Sequence, residues 1–229
     1  MVLPLKDINP SHSFPLVNVC LIVLNFLGFF YELALGPNLE QFIFAAAFIP
    51  SHYWAPGGLG TDFQSILLSM FLHGGWVHLL GNMLYLWIFG DNVEDRLGHL
   101  RYLVFYLLAG FGATVAHALS NAHSTIPSIG ASGAIAGVLG AYAITYPRAR
   151  VVTLVPLGFY MQLTELPALL VLGLWFVLQL FSGVAEIGVR TAQTGGVAFW
   201  AHIGGFVFGM VLMVLLGWTR RSRSSPWST

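Results

Sequence analysis

The sequence predicts an all-α polytopic membrane protein: a bundle of six transmembrane helices with amphipathic interfacial helices in its first outer loop. Three observations lead there. Of 229 residues, 57% are hydrophobic and 8% charged, against about 45–50% and about 25% in soluble domains. Six apolar stretches recur, at Phe14–Leu35, Val77–Phe89, Tyr102–Leu119, Ser132–Tyr146, Leu166–Phe181 and Phe199–Trp218; a helix crossing a ~30 Å hydrocarbon core needs about 20 residues. With that count, Lys6, Arg96, Arg101, Arg148, Arg150, Arg220, Arg221 and Arg223 share one side and only Arg190 takes the other. Such a positive-inside bias puts both termini in the cytoplasm. Continuous runs such as Leu166–Phe181 do not suit a β-barrel, whose strands alternate over ~10 residues.

The chain reads as one integral membrane domain over residues 1–229, with a core at about 14–218 and a basic cytoplasmic tail at 219–229. Nine basic and nine acidic side chains cancel, so no charge excess points to nucleic acid. The single cysteine, Cys20, excludes an intrachain disulfide and a Cys-cluster metal site and is expected to be a small buried hydrophobe. Asn18, Asn25 and Glu32 lie seven residues apart in the first span; polar groups are costly against lipid, so that stripe should face inward and hydrogen-bond between helices. No short basic leader or cleavage site marks this span as a signal peptide, and no Arg- and Ser-rich transit segment precedes it. A bacterial-type plasma (inner) membrane is the expected location.

The outer loop Gly36–Trp76 is long and apolar. Phe63, Ile66, Leu67, Met70 and Phe71 recur at helical spacing behind Asp62 as N-cap, which predicts an amphipathic helix lying in the interface. Gln41–Ile49 predicts another short helix ended by Pro50, and Tyr53 and Trp54 suit the headgroup boundary.

The second and fourth spans are short. Ser132–Tyr146 covers about 22 Å at 1.5 Å per residue. With its far end near Arg148 at the cytoplasmic boundary, Ser132 lies ~8 Å below the outer face of the core. A helix starting below the surface needs protein or water around it. Ser132, in Gly130-Ala131-Ser132-Gly133, reads either as a helix cap or as a reactive hydroxyl in a site cavity. The sixth span opens Ala201-His202-Ile203-Gly204-Gly205, followed by Gly209. Gly133, Gly137 and Gly140 line one side of the fourth helix, so glycine faces allow the fourth and sixth helices to touch. His202 is then either a satisfied core histidine or a base. His78 and Asn82, four apart at the outer start of the second span, offer two donors on one face, with His73 at the helix mouth; tethering of the outer loop is the alternative. A hydroxyl, an imidazole and paired donors at one depth are the parts acyl transfer needs. No carboxylate stands near, so a Ser–His dyad is expected rather than a triad.

These segments resemble the rhomboid intramembrane serine proteases. Gly130-Ala131-Ser132-Gly133 is similar to that family's nucleophile motif, and Ala201-His202 with Gly205 and Gly209 to its base-bearing motif. The run from His73 through His78 to Asn82 resembles its second-helix signature, and Glu94 and Arg96 its cytoplasmic structural cluster. The resemblance implies Ser132 as nucleophile, His202 as general base and later acid, and His78, Asn82 and the Ser132 backbone N–H as oxyanion hole. Gly137, Gly205, Gly209 and His73 take structural places. It further implies no metal or organic cofactor, and as partners the lipid bilayer and transmembrane protein substrates with small residues at the cut and helix-destabilising sequence nearby. Trp175, Phe176 and the loop Ser182–Trp200 become candidates for gate and cap. Two departures stand out: no Trp-Arg pair occurs in the first outer loop, and Ala136 occupies the place where some members stack a tyrosine on the imidazole.

Two other classes compete. His73, His78, His117, His123 and His202 offer imidazoles to a haem, metal or transport bundle, though no His-Glu-x-x-His signature occurs. An inactive rhomboid-like protein that binds membrane clients would lack the serine or the histidine, and here both are present.

Overall fold

A computed structural model of the chain describes residues 3–55, 58–157, 160–188 and 198–217. Helix α1 is Leu16–Ala34. Three short helices fill the outer loop: α2 Leu39–Ala46, α3 Pro50–Tyr53 and α4 Gly58–Ser69. The others are α5 Trp76–Leu97, α6 His99–Ser120, α7 Ser132–Thr145, α8 Ala168–Gly188 and α9 Phe199–Gly217. Among the described residues four helices are long and apolar enough to cross a membrane: α1, α6, α8 through Ala185, and α9.

On α1 the polar stripe faces inward, with Asn18, Asn25 and Glu32 all buried. Asn18 Nδ2 donates to the Leu86 carbonyl (3.0 Å), and Tyr102 OH donates to Asn18 Oδ1 (2.7 Å). Glu94, fully buried, accepts the Val17 and Asn18 backbone N–H groups at 2.9 and 2.7 Å. Those amides have no intrahelical partner, so Glu94 caps α1 from another helix, and His99 Nδ1 lies 2.5 Å from the same carboxylate. Arg96 occupies the last turn of α5. Cys20, two residues past Asn18 and so on the opposite face, is exposed, which corrects the expectation of burial.

The second span is also corrected. Its apolar run was expected to stop at Phe89, yet α5 continues to Leu97. The charged last two turns are accommodated by partners such as the α1 N-terminus.

The all-α expectation fails at one place. Arg150–Leu157 (β2) pairs antiparallel with both Leu3–Asp7 (β1) and Tyr160–Pro167 (β3), in the order β1-β2-β3. The β-branched run Val151-Val152-Thr153 suits a strand, and β3 takes Leu166 from the expected fifth span, so α8 begins at Ala168.

The sheet delivers Asp7 to a polar cluster. Tyr142 OH donates to Asp7 Oδ2 (2.8 Å), as does Asn92 Nδ2 (3.2 Å), and the Asn9 amide donates to Asn92 Oδ1. Burial, reinforced by the neighbouring Asp91, pushes the Asp7 carboxyl up from 3.8 to about 7, against the Tyr142 hydrogen bond. The folded state therefore binds this proton more tightly than the unfolded chain does. Stability from this group is full below pH 3.8 and declines as pH rises towards about 7. The thermal midpoint of the wild type in detergent is expected to fall across that window more steeply than that of Asp7→Asn; equal slopes would contradict the assignment.

The outer loop is tied to the bundle. Phe48 and Ser128 form an isolated antiparallel bridge, and Trp54 Nε1 donates to the Ala118 carbonyl at 3.0 Å. That bridge needs extended backbone at Ala47, so α2 ends at Ala46, ahead of Pro50. On α4 and just beyond, Ile66 and Met70 are buried, whereas Phe63 and Leu67 are exposed. The tail 219–229, Arg190 and most of the loop Ser182–Trp200 lie outside the described residues, and Ser182–Gly188 continues α8.

Candidate active site

Ser132 is the first residue of α7, preceded by Ala131 as N-cap and by Gly130 at φ +125°. The outer loop holds this entry, because the Gly130 N–H donates to the Ser69 carbonyl at the end of α4 (2.8 Å). Only glycine fits: a Cβ on Gly130 would lie 2.8 Å from His78 Cε1 and Nε2, and 3.7 Å from Asn82 Nδ2. The His78 ring and the Asn82 amide therefore both lie over the turn that presents Ser132. Asn82 is buried, and among the described residues its Nδ2 has no hydrogen-bond partner. The first amides of α7 likewise lack an intrahelical partner, and the helix N-terminus favours negative charge.

His202 enters from α9. Its Nε2 lies 2.8 Å from Ser132 Oγ. The close approach of α7 and α9 rests on glycines from both. A Cβ on Gly205 would collide with the Gly133 carbonyl oxygen, and one on Gly209 with the backbone of Gly137. Reciprocally, a Cβ on Gly137 would come within 3.2 Å of the Gly205 oxygen. α9 also packs along α6, where Gly204 meets Ala116 and Gly205 meets Ala113, and α7 packs on α6 through Gly133 against Ala113 and Gly137 against Ala109.

The other face of the imidazole belongs to α8. His202 Nδ1 is 2.8 Å from Gln179 Oε1, and the Trp175 ring lies 5.8 Å from the His202 ring at 37°. Phe176 stacks on Phe206, centroids 4.7 Å apart. Sequence reasoning passed over Gln179, although a lone amide inside the apolar run Leu166–Phe181 was a usable signal.

His73 is buried at the mouth of α5. Its backbone N–H donates to Glu32 Oε1 (3.0 Å), its ring meets that of His78 edge-on at 5.1 Å, and among the described residues neither ring nitrogen has a partner. Burial pushes its imidazole down to about 4, with His78 the lesser cause. Beside Ser132 a recess is lined by Ser69, Thr114, His117 and Ser128, so His117, given no part in the Ser–His reading of the sequence, borders the site. Among the described residues no group of three or more His, Cys, Asp or Glu side chains is placed to hold a metal ion.

A hydroxyl against an imidazole, beneath a glycine turn flanked by side-chain donors, is an arrangement suited to acyl transfer. Most of the chain is similar to known proteins. The family model described as Rhomboid domain matches residues 60–219. "RHOMBOID-like protein 5" of Arabidopsis thaliana is 30% identical over 149 residues, 65% of this chain and 44% of its own length. "Rhomboid protease GluP" of Bacillus subtilis is 32% identical over 156 residues, covering 68% of this chain and 26% of the relative. "Presenilin-associated rhomboid-like protein A, mitochondrial" of Danio rerio is 33% identical over 166 residues, 71% of this chain and 40% of the relative. The chain thus spans less than half the length of these curated relatives. With the match running from α4 past the end of α9, the chain belongs to the rhomboid family.

Proposed function

We propose that the chain is an intramembrane serine endopeptidase, hydrolysing peptide bonds in or near transmembrane segments of other membrane proteins. The observation that carries this reading is the 2.8 Å approach of His202 Nε2 to Ser132 Oγ; the protease named among the relatives supports it. His202 Nε2 takes the Ser132 hydroxyl proton as Oγ attacks the scissile carbonyl. The tetrahedral oxyanion is met by Asn82 Nδ2, His78 and the Ser132 backbone N–H. His202 then returns its proton to the leaving amine, and the C–N bond breaks to leave an acyl-serine. Water, deprotonated by the same imidazole, hydrolyses that ester and restores the serine. No metal or organic cofactor enters any step. Away from bulk water these dipoles act in low dielectric, where they are strongest.

The bundle is read as six spans, with α5 and α7 joining the four long apolar helices, and residues 1–229 as one membrane domain. The basic residues near the ends of α5 and α7, among them Arg96, Arg101, Arg148 and Arg150, put that face in the cytoplasm and open the site outward. The helices of the outer loop then lie in the outer interface. Substrates with small residues at the cut fit a buried serine, and helix-destabilising sequence frees the backbone that an attacking hydroxyl must reach.

The test is cleavage in proteoliposomes of a reporter helix carrying Ala-Gly at its outer end beside a proline. The wild type is expected to give a defined product pair. A folded protein that neither cleaves the reporter nor takes a fluorophosphonate label overturns the proposal. Asn82→Ala is expected to lower kcat about 10²- to 10³-fold, as for loss of one oxyanion donor, with the thermal midpoint held. Unchanged kcat would remove Asn82 from the hole.

A further inference from the structure

His202 is held by α8. Its Nδ1 faces Gln179 Oε1 at 2.8 Å and its ring lies against Trp175. The two residues are four apart on α8, so they stack along one helix face. That face is half-buried at both positions, while Leu174, Val177, Leu178 and Phe181 around it are exposed. An amide in an apolar span is costly unless it is hydrogen-bonded, and this one meets the imidazole. On α7 the position four beyond Ser132 is Ala136, which has no ring to offer; the aromatic neighbour of the imidazole comes from Trp175 instead.

We propose that Gln179 is the positioning residue for His202, its carbonyl oxygen accepting the Nδ1–H so that Nε2 is left unprotonated towards Ser132, with Trp175 packed on the same ring. The proposal rests on the Ser132–His202 reading above. A histidine whose Nδ1 carries the proton has its lone pair on Nε2, the tautomer a general base needs here. With the acceptor gone, the two tautomers compete and the ring rotates more freely about its χ2. Trp175, with its ring centroid 5.8 Å away, also faces the imidazolium that forms during attack, an arrangement that favours the cation. The base is therefore competent only while α8 is seated against α9.

The experiment is the rate of Ser132 labelling by a fluorophosphonate in detergent micelles, followed against pH, with thermal unfolding measured in parallel. Gln179→Met keeps the side-chain length but removes the amide acceptor, and is expected to slow labelling about 10- to 100-fold with an unchanged thermal midpoint. Gln179→Glu restores an acceptor and is expected to recover most of that rate. It should also move the acid limb of the profile to higher pH, because a carboxylate beside Nδ1 favours the imidazolium. Trp175→Leu is expected to move the same limb to lower pH. Wild-type labelling in Gln179→Met overturns the proposal. So does an equal loss in Gln179→Met and Gln179→Glu with a wild-type-shaped pH profile, which marks a packing role. If the wild type itself takes no label, or Ser132→Ala keeps it, the functional reading fails first.

Discussion

Replacing Ser132 with alanine is expected to lower reporter cleavage by about 10⁴-fold or more and to erase fluorophosphonate labelling, with the thermal midpoint held. The Ser132 hydroxyl meets the His202 imidazole at 2.8 Å, and the backbone turn around it is fixed by Gly130 and the Ser69 carbonyl rather than by the hydroxyl. The fold therefore loses little and the chemistry loses its nucleophile. His202→Ala is expected to match that loss, because an unactivated serine is a poor nucleophile. Residues that act as one unit are strongly non-additive, so the double variant should fall no further than either single one. Losses that multiply instead would mean that the two side chains act separately. Cleavage surviving in Ser132→Ala would place the nucleophile elsewhere.

Gly209→Val is expected to abolish folded yield. A Cβ at this position falls on the backbone oxygen, Cα and carbonyl carbon of Gly137, none of which can rotate away. Overpacking a core side chain costs about 1–3 kcal/mol; a clash with backbone lies at or above that upper end. The helices α7 and α9 would have to separate, which also separates Ser132 from His202. Gly81→Ala on α5 and Gly173→Ala on α8 are the contrast, since nothing lies within 4 Å of a Cβ there. Both are expected to fold at wild-type yield or slightly better, alanine being favoured over glycine in helices by about 0.5–1 kcal/mol. Solubilised yield and thermal midpoint decide the matter. A folded Gly209→Val would mean that the two helices are not locked at this point.

Part of this architecture was legible because it is periodic or abrupt. Asn18, Asn25 and Glu32 announce a buried stripe by spacing alone, and the glycines facing one another across α7 and α9 announce a close approach. Ser132 and His202 stand at the starts of apolar runs on the same outer side, and it is their pairing there, rather than either residue alone, that pointed past a helix cap and a core histidine. The rest depends on partners remote in sequence. β2 pairs with β1 from the far end of the chain, and no local pattern encodes that partner. The last two turns of α5 look too charged for a span until Glu94 is seen capping α1. Cys20 was misplaced by residue type, when its phase relative to Asn18 already pointed outward. Gln179 has no period, and its meaning appears only once α8 lies beside α9.

The sheet also constrains biogenesis. Leu3 pairs with Leu154, and Asp7 with Val151, so during translation β1 waits for a partner made some 150 residues later. At about 5–20 residues per second that interval is roughly 8–30 s. Throughout it β1 has no strand to join, and for nearly all of it Tyr142 has not yet been made. The helices from α1 to α7 must therefore hold their places before β1 finds its mate, and the sheet closes on a bundle that still awaits α8 and α9.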